Sequence, residues 1–423
     1  MLWLKRGADA YLIGYPLVTM QATRDALVQP PARMNAFSHA RYLPDARNTV
    51  NVVSPSRDTV YSSVWLDLSD GPMLIEQPDM GERYWLMPVL DAWTNVVADP
   101  GTRTIGNDPH TLLVAGPDWQ GQALPDAVVY RSPTDLAWAI LRIQTGPDLA
   151  GVAGLQDGFR IAPLSAPDAW AKSTVFERPR EAIDVRAQVD ALSGQEFFDR
   201  LAQGLATQPL SPDDPDAAAT LSRIGVTPGE FTPPTNRAEL DGLAKVPSRV
   251  QQGLTDAVNS QDGGGGATIS NGWRIPPMSL GDYGTDYPVR AAVAREGLGA
   301  NLPEDAVYAS TRVDDQGDLL TGDRSYVIDV PDQMPVRAFW SVTVYDDRGN
   351  LLPGVDDGLS VSGDRTSGPQ RIVISTAKPD QGLWLRAPDT GEFRLIMRLY
   401  WPDQVVLDGQ WPFPPVRVTP SAD

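Results

Sequence analysis

Two carboxylates and one imidazole in the first quarter of the chain, Asp58, Asp91 and His39, are its side chains best suited to moving protons. Placed together, such groups support general acid–base catalysis, in which a carboxyl protonates a leaving group and a second group takes up a proton. Guanidinium and phenol groups accompany them. Arg57, Asp58, Thr59 and Tyr61 stand at the entry to one predicted strand, where alternation puts Arg57, Thr59 and Tyr61 on one face and Asp58 on the other. Asp91, Trp93 and Asn95 share a face of another segment, His39 lies on a polar connection, and Arg103, Arg131 and Arg142 fall near predicted strand ends. Brought together, these residues form a pocket with a carboxylate, a base and anion-binding forks. The same types also suit structural work, since buried Asp–Arg pairs tie loops together and a Tyr hydroxyl can close a corner.

Other chemistries are excluded by what the chain lacks. It has no Cys, hence no disulfide, thiolate nucleophile or zinc–thiolate site. It has no Gly-x-Ser-x-Gly elbow, and a Ser–His–Asp triad would have to use His39 or His110, the only two histidines. No His-x-x-x-His pair suggests a metal, and no Gly-x-Gly-x-x-Gly joins a strand to a helix for a dinucleotide. Neither a metal nor a cofactor is therefore expected.

The formal charge of −19 repels phosphate backbones and anionic membrane surfaces, and no basic stripe offsets it. A nucleic-acid partner is not expected. No run of 18 apolar residues occurs to span a bilayer. The opening Met1-Leu-Trp-Leu-Lys-Arg carries its charge after its apolar residues, and Ala10 to Val18 is broken by Gly14 and Pro16 without a cleavage site. This reads as a helix and not a signal peptide.

The elements that must position the polar residues follow from periodicity. Helical spacing covers 7–29. Short β-branched segments follow at Thr49–Val53, Val60–Leu68, Met73–Gln77, Tyr84–Leu90, Thr94–Val97, Thr111–Val114, Ala127–Arg131 and Ala137–Gln144. The middle turns helical: Ser193-x-x-Glu196 is a capping box, Asp214-Pro215 and Asn236-x-x-Glu239 open further helices, and a short one spans Pro288–Glu296. Gly263–Gly266 reads as a flexible loop, since a phosphate cradle would need a following Lys-Ser/Thr. Strands return at Tyr308–Val313, Ser325–Val330, Trp340–Tyr345, Arg371–Ser375 and Phe393–Tyr400, with Asp/Gly turns such as Asp314–Asp318 and Asp346–Asn350 between them. These turns lack the spaced ligands of a calcium loop.

The fold class expected is mainly β with α additions, two antiparallel jelly-roll-like β-sandwich modules joined by a helical segment. Its parts are an N-terminal helix (1–30), a first sandwich (31–180), a helical connecting region (181–300) and a second sandwich (301–423). Asn301, Glu304 and Asp305 read as a helix stop and turn. Trp384, Trp401 and Trp411 read as covers of the second sandwich or of an interface.

Several passages resemble a bacterial family. In the front half they are Ala10–Pro16, Met34-Asn35-x-Phe37-x-His39, Arg57–Ser62, Leu90–Asn95 and Gly101-Thr-Arg103-Thr104-x-Gly106. In the back half they are Gly297–Ala306, Ala338–Ser341, Arg394–Tyr400 and Asp408-Gly409-x-Trp411-x-x-Pro414-Pro415. In this order they resemble the pairing of domain of unknown function 1254 with domain of unknown function 1214. The resemblance covers nearly the whole chain and implies two β modules and a homo-oligomer, but no reaction. Ser54-Pro55-Ser56-Arg57 and Leu383–Pro388 depart from the patterns of relatives.

Two functions are consistent with these observations. One is a hydrolase-like enzyme acting on a small organic or saccharide-like molecule in the first module. There Asp58 or Asp91 acts as acid or base, His39 as second proton carrier, and Arg57 and Tyr61 steady developing charge. The other is a non-catalytic glycan-binding or self-assembling protein, suggested by twelve Trp. They divide on whether His39, Asp58 and Asp91 meet.

Overall fold

Alternation sorts the side chains of the paired strands Thr59–Asp67 and Leu136–Gln144 into an apolar face and a mixed one. Val60, Val64 and Leu66, with Ala139, Leu141 and Ile143, face inward. They share a core with Ile75, Leu112, Val114 and Ile161 of a second sheet. The opposite face carries Tyr61 beside Arg142, and Trp65 stacked on Trp138 at 4.7 Å. The computed structural model describes residues 2–45, 54–146, 149–181, 183–260, 263–354 and 357–419. The predicted strand Thr49–Val53 lies outside them.

Helices cover part of that mixed face. The first, Leu2–Leu27, continues through Pro16 and packs against Gly194–Thr207, Arg237–Asn259 and Tyr287–Glu296. Tyr11 stacks on Phe197 at 3.8 Å, and Gly14 lets the helices close, since a Cβ there would lie 2.3 Å from Leu201. The capping box at Ser193 and Glu196 forms, and Asp214 and Asn236 each accept a backbone N–H as N-caps. Residues from both ends of the first 300 positions thus build one helical body, its core continuous with Trp65, Trp93 and Trp138.

In the second module, Phe393–Tyr400 pairs with Ala306–Thr311 on one side and Phe339–Asp346 on the other. Val307, Leu399, Trp340, Met397 and Val342 point to an apolar core shared with a smaller sheet that contains Tyr326–Val330 and Gln370–Ser375. The other face is polar yet covered. It is covered by the first module.

The architecture is mixed α/β, with eight α-helices and several sheets among the described residues and no closed barrel. The sheets are not wholly antiparallel as expected. Ser38–Ala40 with Thr174–Phe176, His110–Ala115 with Val128–Arg131, and Gln370–Ser375 with Leu383–Arg386 pair in parallel at or near sheet edges. For His110–Ala115 the intervening 116–127 supplies the crossover of about a dozen residues that a parallel pair requires. The predicted segment Tyr84–Leu90 splits into Trp85–Leu86 and Val89–Asp91, with Pro88, which has no N–H to pair, at the break.

Candidate functional site between the modules

The polar face of the second module is set by register. Tyr308, Arg398 and Ser341 form one cross-strand row, and Ser310, Ile396, Thr343 and Ser360 the next. Tyr400 follows two residues after Arg398 and stacks on Phe339 at 4.1 Å. Against this face the first module lays Ser54, Ser56, Asp58, Tyr61 and Arg142. Tyr345 donates to the carbonyl of Pro55 at 2.8 Å, and Arg398 Nη2 donates to that of Ser54 at 2.7 Å. Ser56 and Tyr400 pair their hydroxyls at 3.2 Å.

A hydrogen-bonded chain crosses the seam. Arg398 Nη1 donates to Thr343 Oγ1 at 3.0 Å, the Thr343 and Ser360 hydroxyls lie 3.0 Å apart, and Ser360 donates to Asp58 Oδ1 at 3.1 Å. Because the Ser360 proton points to the carboxylate, Thr343 must donate to Ser360. Guanidinium and carboxylate are thereby joined through two hydroxyls and not by a direct ion pair. Ser56 donates to Asp58 Oδ2 at 3.3 Å. Asp58 is 8% exposed and Arg398 2%. Burial pushes the Asp58 carboxyl up, opposed by the charge of Arg398 and by the hydroxyls of Ser341, Ser360 and Ser56. Burial also raises Tyr308, Tyr345 and Tyr400, so these phenols stay protonated.

Arg142 approaches from the first module. Its Nη2 donates to Gly299 O at 2.6 Å and its Nη1 to Asn301 Oδ1 at 3.4 Å, while its guanidinium lies 5.7 Å from the Tyr61 ring. Arg398 similarly lies over Tyr308 and Tyr345, at 5.3 and 5.7 Å. The Nε atoms of both arginines are buried without a protein acceptor. Beside the seam, Arg103 pairs with Asp305 at 2.7 Å and with Asp99, and Tyr84 donates to Asp305 O at 2.9 Å. Burial raises Asp305 to about 6, against the pull of Arg103.

Of the ten sequence candidates, Asp58, Tyr61 and Arg142 meet here, and Arg103 borders them. The others go elsewhere. His39 is fully buried on the inner face of its sheet, bonded through Nδ1 to Ser62 Oγ at 2.8 Å and stacked on Phe37 at 5.5 Å. Burial, then Arg41, lowers it to about 4, so it is a neutral ring at physiological pH and not a solvated one. Asp91 closes its own turn, accepting from Trp93 N, Asn95 N and Asn95 Nδ2, each at 2.8 Å, while Arg290 donates to Asn95 Oδ1 at 3.1 Å. Trp93 is buried and donates to Pro209 O at 3.0 Å. Arg57 donates to Pro44 O at 2.7 Å. Arg131 lies over Trp119 at 5.1 Å and donates to Trp119 O at 2.8 Å.

The residues the sequence reading missed are Tyr308, Thr343, Tyr345, Ser360, Arg398 and Tyr400, all in the second half of the chain, where no site residue was expected. One signal was present: Arg394, Ile396, Arg398 and Tyr400 alternate with Leu395, Met397 and Leu399, so two cations and a phenol share one strand face.

Fold and site together define a two-module α/β protein whose modules meet across a buried polar layer. Residues 34–163 match the family described as a protein of unknown function (DUF1254), and residues 305–404 match a second, likewise described (DUF1214). The chain belongs to the tandem family that carries the first of these N-terminal to the second. It is similar in fold to the VPA0106 protein from Vibrio parahaemolyticus. That crystal structure aligns with a TM-score of 0.70 and 23% identity, over 99% of this chain and 100% of that one. An uncharacterised protein from Burkholderia cenocepacia aligns with a TM-score of 0.49 and 13% identity, over 99% of this chain and 94% of that one. No curated protein matches.

Proposed function

We propose that the seam is the reaction site of a hydrolase-like enzyme acting on a small polar, negatively charged organic molecule, with Asp58 as the proton-transfer residue. A carboxyl raised by burial donates a proton to a leaving-group oxygen and, as the carboxylate, takes one from the attacking water, which restores the acid. Arg142 and Arg398 suit an anionic group on the substrate, and the phenols of Tyr61 and Tyr308, whose protons the seam's own hydrogen bonds do not use, are donors for its other oxygens. His39 and Asp91 hold the first module in shape. Each module is read as a jelly-roll-like sandwich, though the chemistry does not depend on that name.

The observation that carries this reading is the convergence of Asp58, Arg142 and Arg398 with four tyrosines in one layer drawn from both modules. A seam that only joined modules could be served as well by apolar side chains, because replacing buried charged groups with well-packed hydrophobic residues is often neutral or stabilising. The glycan-binding alternative needs free aromatic faces. Seven of the twelve tryptophans are buried. Of the others, Trp119, Trp170, Trp401 and Trp384 each lie beneath an Arg or Lys, and Trp411 packs against Phe413.

The test is a panel of small chromogenic esters and glycosides, with carboxylate-bearing members, assayed on wild type and Asp58→Asn. The expected result is turnover that falls at least about 100-fold in Asp58→Asn while the melting temperature stays near that of wild type. Equal turnover by the two proteins, or no binding and no turnover across the panel, sinks the proposal.

A further inference from the structure

A second cluster of cations lies on the same sheet face, beyond the seam. Arg394 stands four residues before Arg398, with Ile396 between them on that face. Around Arg394 is a cavity of about 90 Å³, lined by Arg274, Arg312, Ser310, Val258 and Ile269. Register brings the group together. Arg274 is directly opposite Ser310, and Thr311 is opposite Leu395, which leaves Arg312 and Arg394 adjacent at the next step. Both of the latter donate to one carbonyl, that of Asp347. Arg274 donates to Gly264 O at 2.5 Å and so fastens the four-glycine segment beside the cavity.

Three guanidiniums around one small cavity in a chain of net charge −19 repel each other. Among the described residues, none of the three forms an ion pair with a carboxylate. The acids whose charge acts most on Arg394 are Asp346, Glu296 and Asp347. Asp346 binds its own turn through Arg348 N, Asn350 N and Asn350 Nδ2, and Glu296 is paired with Arg186 and Arg295. The Nε atoms of Arg274 and Arg394 are buried with no protein acceptor. We propose that this pocket binds a phosphate-sized oxyanion, free or as the terminal group of a small metabolite, held by Arg274, Arg312 and Arg394 with the Ser310 hydroxyl as a further donor. The cavity has room for a few water-sized groups, which suits such an ion.

Inorganic phosphate titrated calorimetrically into the full chain, at ionic strength fixed with chloride, tests the assignment. Saturable one-to-one binding by wild type, weakened at least tenfold in Arg394→Gln and in Arg312→Gln, is the expected result. Ser310→Asp, which puts a carboxylate in the pocket, should abolish binding and serves where an arginine variant fails to fold. Glycerol phosphate binding as well as phosphate marks a terminal phosphoryl group, and preference for the free ion marks phosphate itself; either supports the site. A flat wild-type titration overturns it, as does acetate binding equally well. So does phosphate binding that Arg398→Gln removes and Arg394→Gln leaves intact, because the ion would then sit in the seam.

Discussion

Ser360, on a strand of the second module, donates its hydroxyl to the carboxylate of Asp58 at 3.1 Å, across 302 residues of chain. Behind it, Thr343 links Ser360 to the buried guanidinium of Arg398. Charge on either end depends on the other, because both groups are buried. Arg398→Met keeps much of the volume but strands the Asp58 carboxylate and removes the donor to Ser54 O and Tyr345. The expected loss is about 3–5 kcal/mol. Adding Asp58→Asn should return part of that loss, so the double variant is more stable than the sum of the single effects predicts. Urea midpoints of the four proteins measure the coupling, and simple additivity would show that the relay carries none.

Much of the fold was readable because periodicity is local. Met73–Gln77 and Phe393–Tyr400 were bounded as they stand, and the caps at Ser193, Asp214 and Asn236 form as their sequences imply. The site was half readable. Asp58, Tyr61 and Arg142 drew notice as polar residues at strand positions, yet alternation along Phe393–Tyr400 cannot say what covers its polar face. That cover is Ser54-Pro55-Ser56, which lies 290 residues or more in sequence from the strand residues it bonds and so leaves no local signal on them. His39 misled for a related reason. Its strand is only three residues long, Ser38–Ala40, and is buried by pairing on both sides, which no short pattern reveals.

His39 predicts a pH dependence of stability. Its folded value of about 4 lies below its ordinary 6.5, so the unfolded chain takes up the proton first. The contribution is complete above pH 6.5 and is lost as pH falls toward 4, by up to about 3 kcal/mol. His39→Gln, which keeps a partner for Ser62 but cannot titrate, should therefore gain on wild type between pH 6.5 and 4. Parallel denaturation curves at pH 7 and 4.5 decide it; a constant difference between the proteins refutes the assignment.

Asp305 works in the opposite sense over nearly the same range. Its folded value of about 6 lies above its ordinary 3.8, so the folded chain takes up the proton first. Its contribution is complete below pH 3.8 and is lost as pH rises through 6, again by up to about 3 kcal/mol. Asp305→Asn should be nearly neutral in acid and more stable than wild type at pH 7, with Arg103 still held by Asp99. The same denaturation series measures it, and a variant less stable than wild type at pH 7 would mean that the Arg103 pair outweighs burial.

Gly299 tests how closely the modules are fitted. Its φ of +88° is strained for any other residue, and a Cβ there would lie 2.7 Å from Ile140 Cδ1. Its carbonyl is also the 2.6 Å acceptor for Arg142 Nη2, so a shift of this backbone moves a seam cation. Gly299→Ala should cost about 3 kcal/mol or more, from left-handed backbone strain together with overpacking. Gly391→Ala is the control, because its φ of +86° carries the same strain while nothing lies within 4 Å of the added Cβ. It should cost only about 1 kcal/mol. If the two losses match, the close approach of Gly299 to Ile140 contributes nothing to stability.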